Sequence, residues 1–262
     1  MLLEGEYRWG NSLGDYSSDR TVYGQSREPL MINGILLEKH ELFTYDQLSN
    51  LLIEKRGDQP VMALDIGGGA GKSWSKLALA YEDDVKKGNI AFVVSNLAAN
   101  QEDQLANHYK GYTRDVVERK EGELLTAKDK NLVHFLTGNL NHIRNQSITL
   151  PNGRVIPLRN NVNLAHEELS ITVWSHTPDL DILKIGRLLS PSTSIYSVKD
   201  SSVCGGSDIP DRMKGIELAQ QGLQRDHGLI KVPYAEAGEL EGRPLDRYAI
   251  FRTPQAPPIE LN

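Results

Sequence analysis

VMALDIGGGAG, residues 61–71, is an apolar run, one carboxylate, and then four glycines in five residues at the head of a helical pattern. An apolar strand of this kind is buried between two helical layers. The glycines let backbone N–H groups come close to a ligand at the helix N-terminus, where a side chain would collide. Strand, acidic turn and helix in this order is how a doubly wound α/β sheet receives a nucleotide-like cofactor. A tight turn alone would not call for the alternate glycines Gly67, Gly69 and Gly71. A phosphate loop is the sharper competitor, because GGGAGKS closes on Gly71-Lys72-Ser73. The spacing G-x-x-x-x-G-K-S needs glycine where Ile66 stands, and the lysine-led variant needs lysine where Gly67 stands. A P-loop-type ATPase is therefore the lesser alternative.

Outward from this stretch, the pattern alternates strand and helix. Before it, Thr44 and Gln47 form a capping box for a helix whose stripe is Tyr45, Leu48, Leu51 and Leu52, ended by Gly57 and Pro60. After it, Trp74, Leu77, Ala78 and Tyr81 fall on one helical face. Ile90–Ser95 reads as a buried parallel strand. Polar helices are expected over 98–109 and 113–126, and a third strand over Leu132–Leu136. Gln146–Leu158, centred on Pro151-Asn152-Gly153, reads as an inserted hairpin outside the main sheet. A fourth strand is expected at Leu169–Trp174, a helix at Leu180–Leu189 and a fifth strand at Ser194–Val198. Asp208 and Pro210 start a last helix. GLIKVPYAEAG and LDRYAIFRTP then form an antiparallel pair.

The 262 residues suffice for one large α/β domain with an appendage. Residues 1–59 read as an arm and helix, 60–255 as the core and 256–262 as a tail. Lys+Arg 29 against Asp+Glu 35 gives a net charge of -6, and no basic run suits a phosphate backbone, which argues against nucleic acid. The single cysteine, Cys204, excludes an intrachain disulfide and a cysteine zinc cluster. No metal ligand set is read from the sequence. The opening MLLEGEYRWGN has no signal-peptide pattern and no segment suits a membrane span, so a cytoplasmic location is expected.

LDIGGGAG at Leu64–Gly71, TGN at Thr137–Asn139, RLLSPST at Arg187–Thr193 and the terminal hairpin together resemble the class I S-adenosylmethionine-dependent methyltransferase superfamily. By element order the resemblance spans residues 60–255. It implies a Rossmann-like, doubly wound seven-stranded sheet with an antiparallel C-terminal strand, plus the N-terminal arm and helix. The implied cofactor is S-adenosyl-L-methionine. Asp65, Gly67, Gly68, Gly69 and Gly71 would surround its amino-acid end, with Asp65 near the ammonium or the loop amides. Gly138-Asn139 stands where the family usually shows Gly-Asp, so the carbonyl oxygen of the Asn139 side chain would meet the adenine amino group and Leu140 would pack on the ring. Where the family often has an acid for the ribose hydroxyls, Ser95, Asn96 and Leu97 stand here. Asn96 can accept a hydrogen bond, without the strength a carboxylate gives.

Methyl transfer is an in-line displacement, in which alignment supplies much of the acceleration and a base is needed only for a protonated nucleophile. His176, after the expected fourth strand, is the candidate general base; capping or packing is its alternative. His134 is expected in the core, and His142 and His166 as solvent-facing loop residues, with a place at the border of the acceptor pocket as their alternative. Trp74 reads as core, while Tyr234 and Glu236 near the terminal hairpin suit an acceptor contact or ordinary surface. The acceptor is expected to be a small molecule or a protein side chain. Tyr7, Trp9, Tyr16 and Tyr23 suit a lid, a homodimer contact or a tether. The second class of function is a non-catalytic cofactor-binding pseudoenzyme or interaction module, motivated by the absent ribose acid.

Overall fold

The computed structural model describes residues 59–68, 72–96, 127, 130–167, 171, 177–199, 209–232, 239–240, 243–244 and 248–256. In chain order the elements are β1 (Val61–Ile66), α1 (Lys72–Ala80), α2 (Glu82–Lys87), β2 (Ile90–Asn96), β3 (Val133–Thr137) and α3 (Leu140–Ile143). They continue with β4 (Ser147–Thr149), β5 (Val155–Pro157), β6 (Leu164–Glu167), α4 (Pro178–Gly186), β7 (Ile195–Lys199) and α5 (Ile209–His227). The last are β8 (Ile230–Lys231), β9 (Glu239–Leu240), β10 (Arg243–Pro244) and β11 (Tyr248–Arg252).

Seven of these strands form one sheet in the order β3-β2-β1-β6-β7-β11-β8. Strands β3, β2, β1, β6 and β7 are mutually parallel, and β11 runs antiparallel to both β7 and β8. This is the doubly wound sheet with an antiparallel C-terminal strand that the family resemblance implied. All six residues of β1 are buried, as its unbroken apolar character requires of a strand covered on both faces. Met62, Leu64 and Ile66 face a cluster with Tyr196 and Phe251, while Val61 and Ala63 face one with Trp74, Leu77 and Phe92. Trp74 is core, as expected: its ring lies 5.9 Å from that of Phe92 and its Nε1–H donates to the Val93 carbonyl at 3.1 Å. Burying each such large side chain contributes about 1.5–3 kcal/mol.

The hairpin β4–β5 stands outside the main sheet as expected. Gly153 takes the left-handed φ of 83° that its turn demands. Asn152 ties the hairpin back to the body by donating from Nδ2 to the Lys87 carbonyl at 3.1 Å.

One strand is elsewhere. The fourth core strand is Leu164–Glu167, not Leu169–Trp174, and Ile171 is helical. Asn163 fixes its start. The Asn163 N–H donates to the Met62 carbonyl at 2.9 Å, and its Oδ1 accepts the Met62 N–H at 3.0 Å. Its Nδ2 donates to the Thr193 carbonyl at 2.8 Å, and its carbonyl accepts the Ile195 N–H at 2.8 Å. Asn163 thus stitches the entry of β6 to both neighbours, and β6 follows in register between β1 and β7. His166 and Glu167 place two ionisable residues in this four-residue strand, whereas LSITVW, residues 169–174, is the more apolar stretch.

Among the described residues no helix is long and apolar enough to cross a membrane. The helices expected around Thr44, over 98–109 and over 113–126, the arm, Cys204, Tyr234 and Glu236 lie outside the described residues.

Candidate functional site

From β1 the chain proceeds to β2 and β3 on one side, then returns to β6 and β7 on the other. The carboxyl ends of β1 and β6 therefore flank the switch point, where open α/β sheets bind ligands. Glycine carries the chain out of β1: Gly67 has φ 68°, and its N–H donates to the Ser95 carbonyl at 2.8 Å. Gly68 then passes directly over the Asp65 carboxylate. A Cβ added to it would lie 2.4 Å from Asp65 Oδ2. Asp65 is 1 % exposed, so the loop and this buried acid form one packed unit.

Register aligns the other expected residues with it. Ile66 pairs with Ser95, and Asn96 pairs with Thr137, so Gly67, Asn96 and Gly138 mark the carboxyl ends of three adjacent strands. At the ~4.8 Å spacing of neighbouring strands this edge is about 10 Å long, the scale of a nucleoside. Gly138 turns the chain with φ 139°, and a Cβ there would strike the His142 ring. Asn139 is the N-cap of α3, its Oδ1 accepting the His142 N–H at 3.0 Å. The Asn139 carbonyl oxygen thus already serves a backbone donor, with one further lone pair to offer. Leu140 is buried in the core cluster beneath. Gly69, Gly71 and His176 lie outside the described residues.

His134 is half-buried on the edge strand β3 and belongs to neither core cluster, which corrects the core expectation; desolvation there lowers its pKa and favours the neutral imidazole. His142 is exposed, as expected. His166 is a second correction: instead of a solvent-facing loop residue it is a strand residue only 5 % exposed. Its position in β6 gives it a sheet face, which no loop reading provided.

Two groups near this edge went unnoticed in the sequence. Glu167 ends β6 fully buried, and its Oε1 accepts the Ile171 N–H at 2.6 Å, so the carboxylate organises the turn that leaves the sheet. Tyr196 on β7 is also fully buried. Burial first, then the charges of Glu167 and Asp181, hold its hydroxyl well above the usual phenol range, so it stays a neutral phenol. Asp181 is paired with Lys184 at 2.8 Å. Neither Glu167 nor Tyr196 announces itself by spacing; a buried acid closing an apolar strand shows only once the strand is placed. Among the described residues no group of three or more His, Cys, Asp or Glu could hold a metal ion.

The architecture is a Rossmann-like seven-stranded α/β sheet with antiparallel C-terminal strands. Solved structures similar to the chain include the CurJ carbon methyltransferase, 10% identical, with TM-score 0.48, covering 92% of this chain and 58% of that one. The DszA carbon methyltransferase is 9% identical with TM-score 0.47, covering 87% and 58%. The plantazolicin methyltransferase BamL, in complex with a triazolic desmethylPZN analog and SAH, is 12% identical with TM-score 0.49, covering 92% and 91%. The chain spans only 58% of the length of the two carbon methyltransferases. At such identities and TM-scores these likenesses say nothing about what this chain does. No family model matches it, and no curated protein sequence does.

Proposed function

We propose that the chain binds S-adenosyl-L-methionine at the carboxyl edge of β1, β2 and β3 and transfers its methyl group to a small-molecule or protein acceptor. The observation that carries this reading is the alignment of three turns, Asp65-Ile66-Gly67-Gly68, Ser95-Asn96 and Thr137-Gly138-Asn139, on adjacent strands beside the switch point. The fit is chemical as well as topological. Gly68 has no room for a side chain over Asp65, so the loop backbone closes directly on the acid. Asp65 supplies negative charge for an ammonium, and Gly68, Gly69 and Gly71 supply amides for a carboxylate, while the Gly67 N–H is held by the Ser95 carbonyl. Asn96 would accept from a ribose hydroxyl. Gly138 and Asn139 would border the adenine, with Leu140 supporting the turn from the core and the second lone pair of Asn139 Oδ1 taking the amino group.

When bound, the sulfonium supplies an activated methyl. The protein's part is to hold an acceptor nucleophile in line with it and exclude water, and His176, beyond β6, would take a proton where the nucleophile carries one. The second reading, a cofactor-binding module without transfer, is favoured by Ser95-Asn96 standing where a ribose-binding acid is usual.

Calorimetric titration with S-adenosylmethionine, S-adenosylhomocysteine and ATP tests the proposal, followed by labelled-methyl transfer onto small-molecule and protein pools. Binding of both sulfur compounds and not ATP is expected. ATP binding alone overturns the reading and returns attention to Lys72 and Ser73; cofactor binding with no transfer to any pool favours the second reading.

A further inference from the structure

Beneath the glycine loop a row of polar residues crosses the sheet. Asp65 of β1 pairs in register with His166 of β6, and His166 pairs with Ser197 of β7. Strand alternation puts all three on the face that carries Ala63, Leu164 and Ile195, the face covered by Trp74 and Leu77. They are 1 %, 5 % and 3 % exposed. Ser197 Oγ is buried with no hydrogen-bond partner among the described residues. Their near neighbours on this face, Ala63, Val94, Leu164, Ile195 and Ile250, are apolar.

A buried carboxylate stays ionised only where donors or positive charge lie beside it; otherwise desolvation raises its pKa and it takes up a proton. Side chains directly paired across neighbouring strands stand about 5 Å apart at Cβ, within reach of an imidazole. We infer that His166 is a positioning residue for Asp65: from the adjacent strand it holds the carboxylate ionised and aimed at the loop. On this view the strength with which the loop grips a cationic amino-acid end is set one strand away from it. The inference rests on the proposed cofactor reading for its ligand, while the coupling of Asp65 to His166 does not.

The test compares S-adenosylhomocysteine with methylthioadenosine, a related thionucleoside without the amino-acid end. His166→Phe is expected to weaken S-adenosylhomocysteine by ~10-fold or more, the scale of a hydrogen bond to a charged group. Methylthioadenosine affinity should be unchanged, and His166→Gln, which keeps a donor, should recover part of the loss. Equal weakening of both ligands, or of neither, overturns the inference. Should His166→Phe not fold, the His166→Gln comparison and the imidazole nitrogen-15 shifts of His166 decide. Asp65→Asn is expected to move those shifts in the unliganded protein, and unmoved shifts overturn the coupling. Failure of the wild-type protein to bind either nucleoside instead overturns the cofactor reading, and the nitrogen shifts report on the coupling independently.

Discussion

Replacing Gly68 by alanine would put a methyl carbon 2.4 Å from Asp65 Oδ2, 2.5 Å from its Cγ and 3.1 Å from its Cβ. Non-bonded atoms of this kind rest near 3.5 Å, so the carboxylate or the loop must move by roughly 1 Å. The carboxylate has little room to do so. It is 1 % exposed, and its Cβ is fixed by a strand hydrogen-bonded to β2 and β6 on both sides. Overpacking a site that cannot relax costs about 1–3 kcal/mol. Taking ~2 kcal/mol, the melting midpoint should fall by about 4–8 °C for a chain of this size. The affinity for S-adenosylhomocysteine should fall as well, because the displaced group is the one that faces the loop. Gly153→Ala is the control. Its φ of 83° makes any side chain strained, yet a Cβ there meets nothing within 4 Å. It should cost ~1–2 kcal/mol and leave ligand affinity intact. Thermal melts and titration calorimetry on the two variants read both quantities. A Gly68→Ala protein with wild-type stability and affinity would refute the claim that loop and acid are one packed unit.

Asn163→Ala removes the hydrogen bonds to Met62 N–H and the Thr193 carbonyl, at 3.0 and 2.8 Å, and should cost about 2–3 kcal/mol in urea denaturation. Because it acts at the amino end of β6, opposite the site, it should not alter ligand affinity. Tyr196→Phe deletes a fully buried hydroxyl that has no hydrogen-bond partner among the described residues, so stability should hold or rise by about 1 kcal/mol. A large loss of stability would reveal a hidden partner. Burial lowers the His134 pKa from its ordinary value near 6.5. The unfolded chain therefore binds more protons there, and stability should be full above about pH 6.5 and decline as pH falls toward the folded value. His134→Gln should flatten that part of the pH–stability curve, and an unchanged slope would assign it to other groups.

The resemblance and the glycine pattern located the site's frame because β1 is a contiguous signal. Six consecutive residues, all buried, leave the same trace in sequence as in space, and the glycines after them answer a local need, a left-handed turn and a close approach. The hairpin at Pro151-Asn152-Gly153 and the antiparallel closing strands were legible for the same reason: turn chemistry and short β-branched runs are encoded in neighbouring residues. The TGN turn was likewise visible, though its side-chain role was not. That Asn139 caps α3 by accepting the His142 N–H depends on where the helix begins.

Tertiary structure alone decided β6. Its four residues include two ionisable side chains, and a strand so short is fixed by Asn163 bonding to both neighbours and by the pairing that follows, not by its own period. Once β6 lies at Leu164–Glu167, His166 moves from loop to buried row, Glu167 becomes the residue that closes the strand, and Tyr196 acquires two acidic neighbours. Sequence determined β1 and the glycine turn, because those rest on residues near in the chain, and the order of elements with the resemblance gave the class of sheet. Which side chains stand beside Asp65 is a matter of register between strands a hundred residues apart, and only the folded sheet sets that.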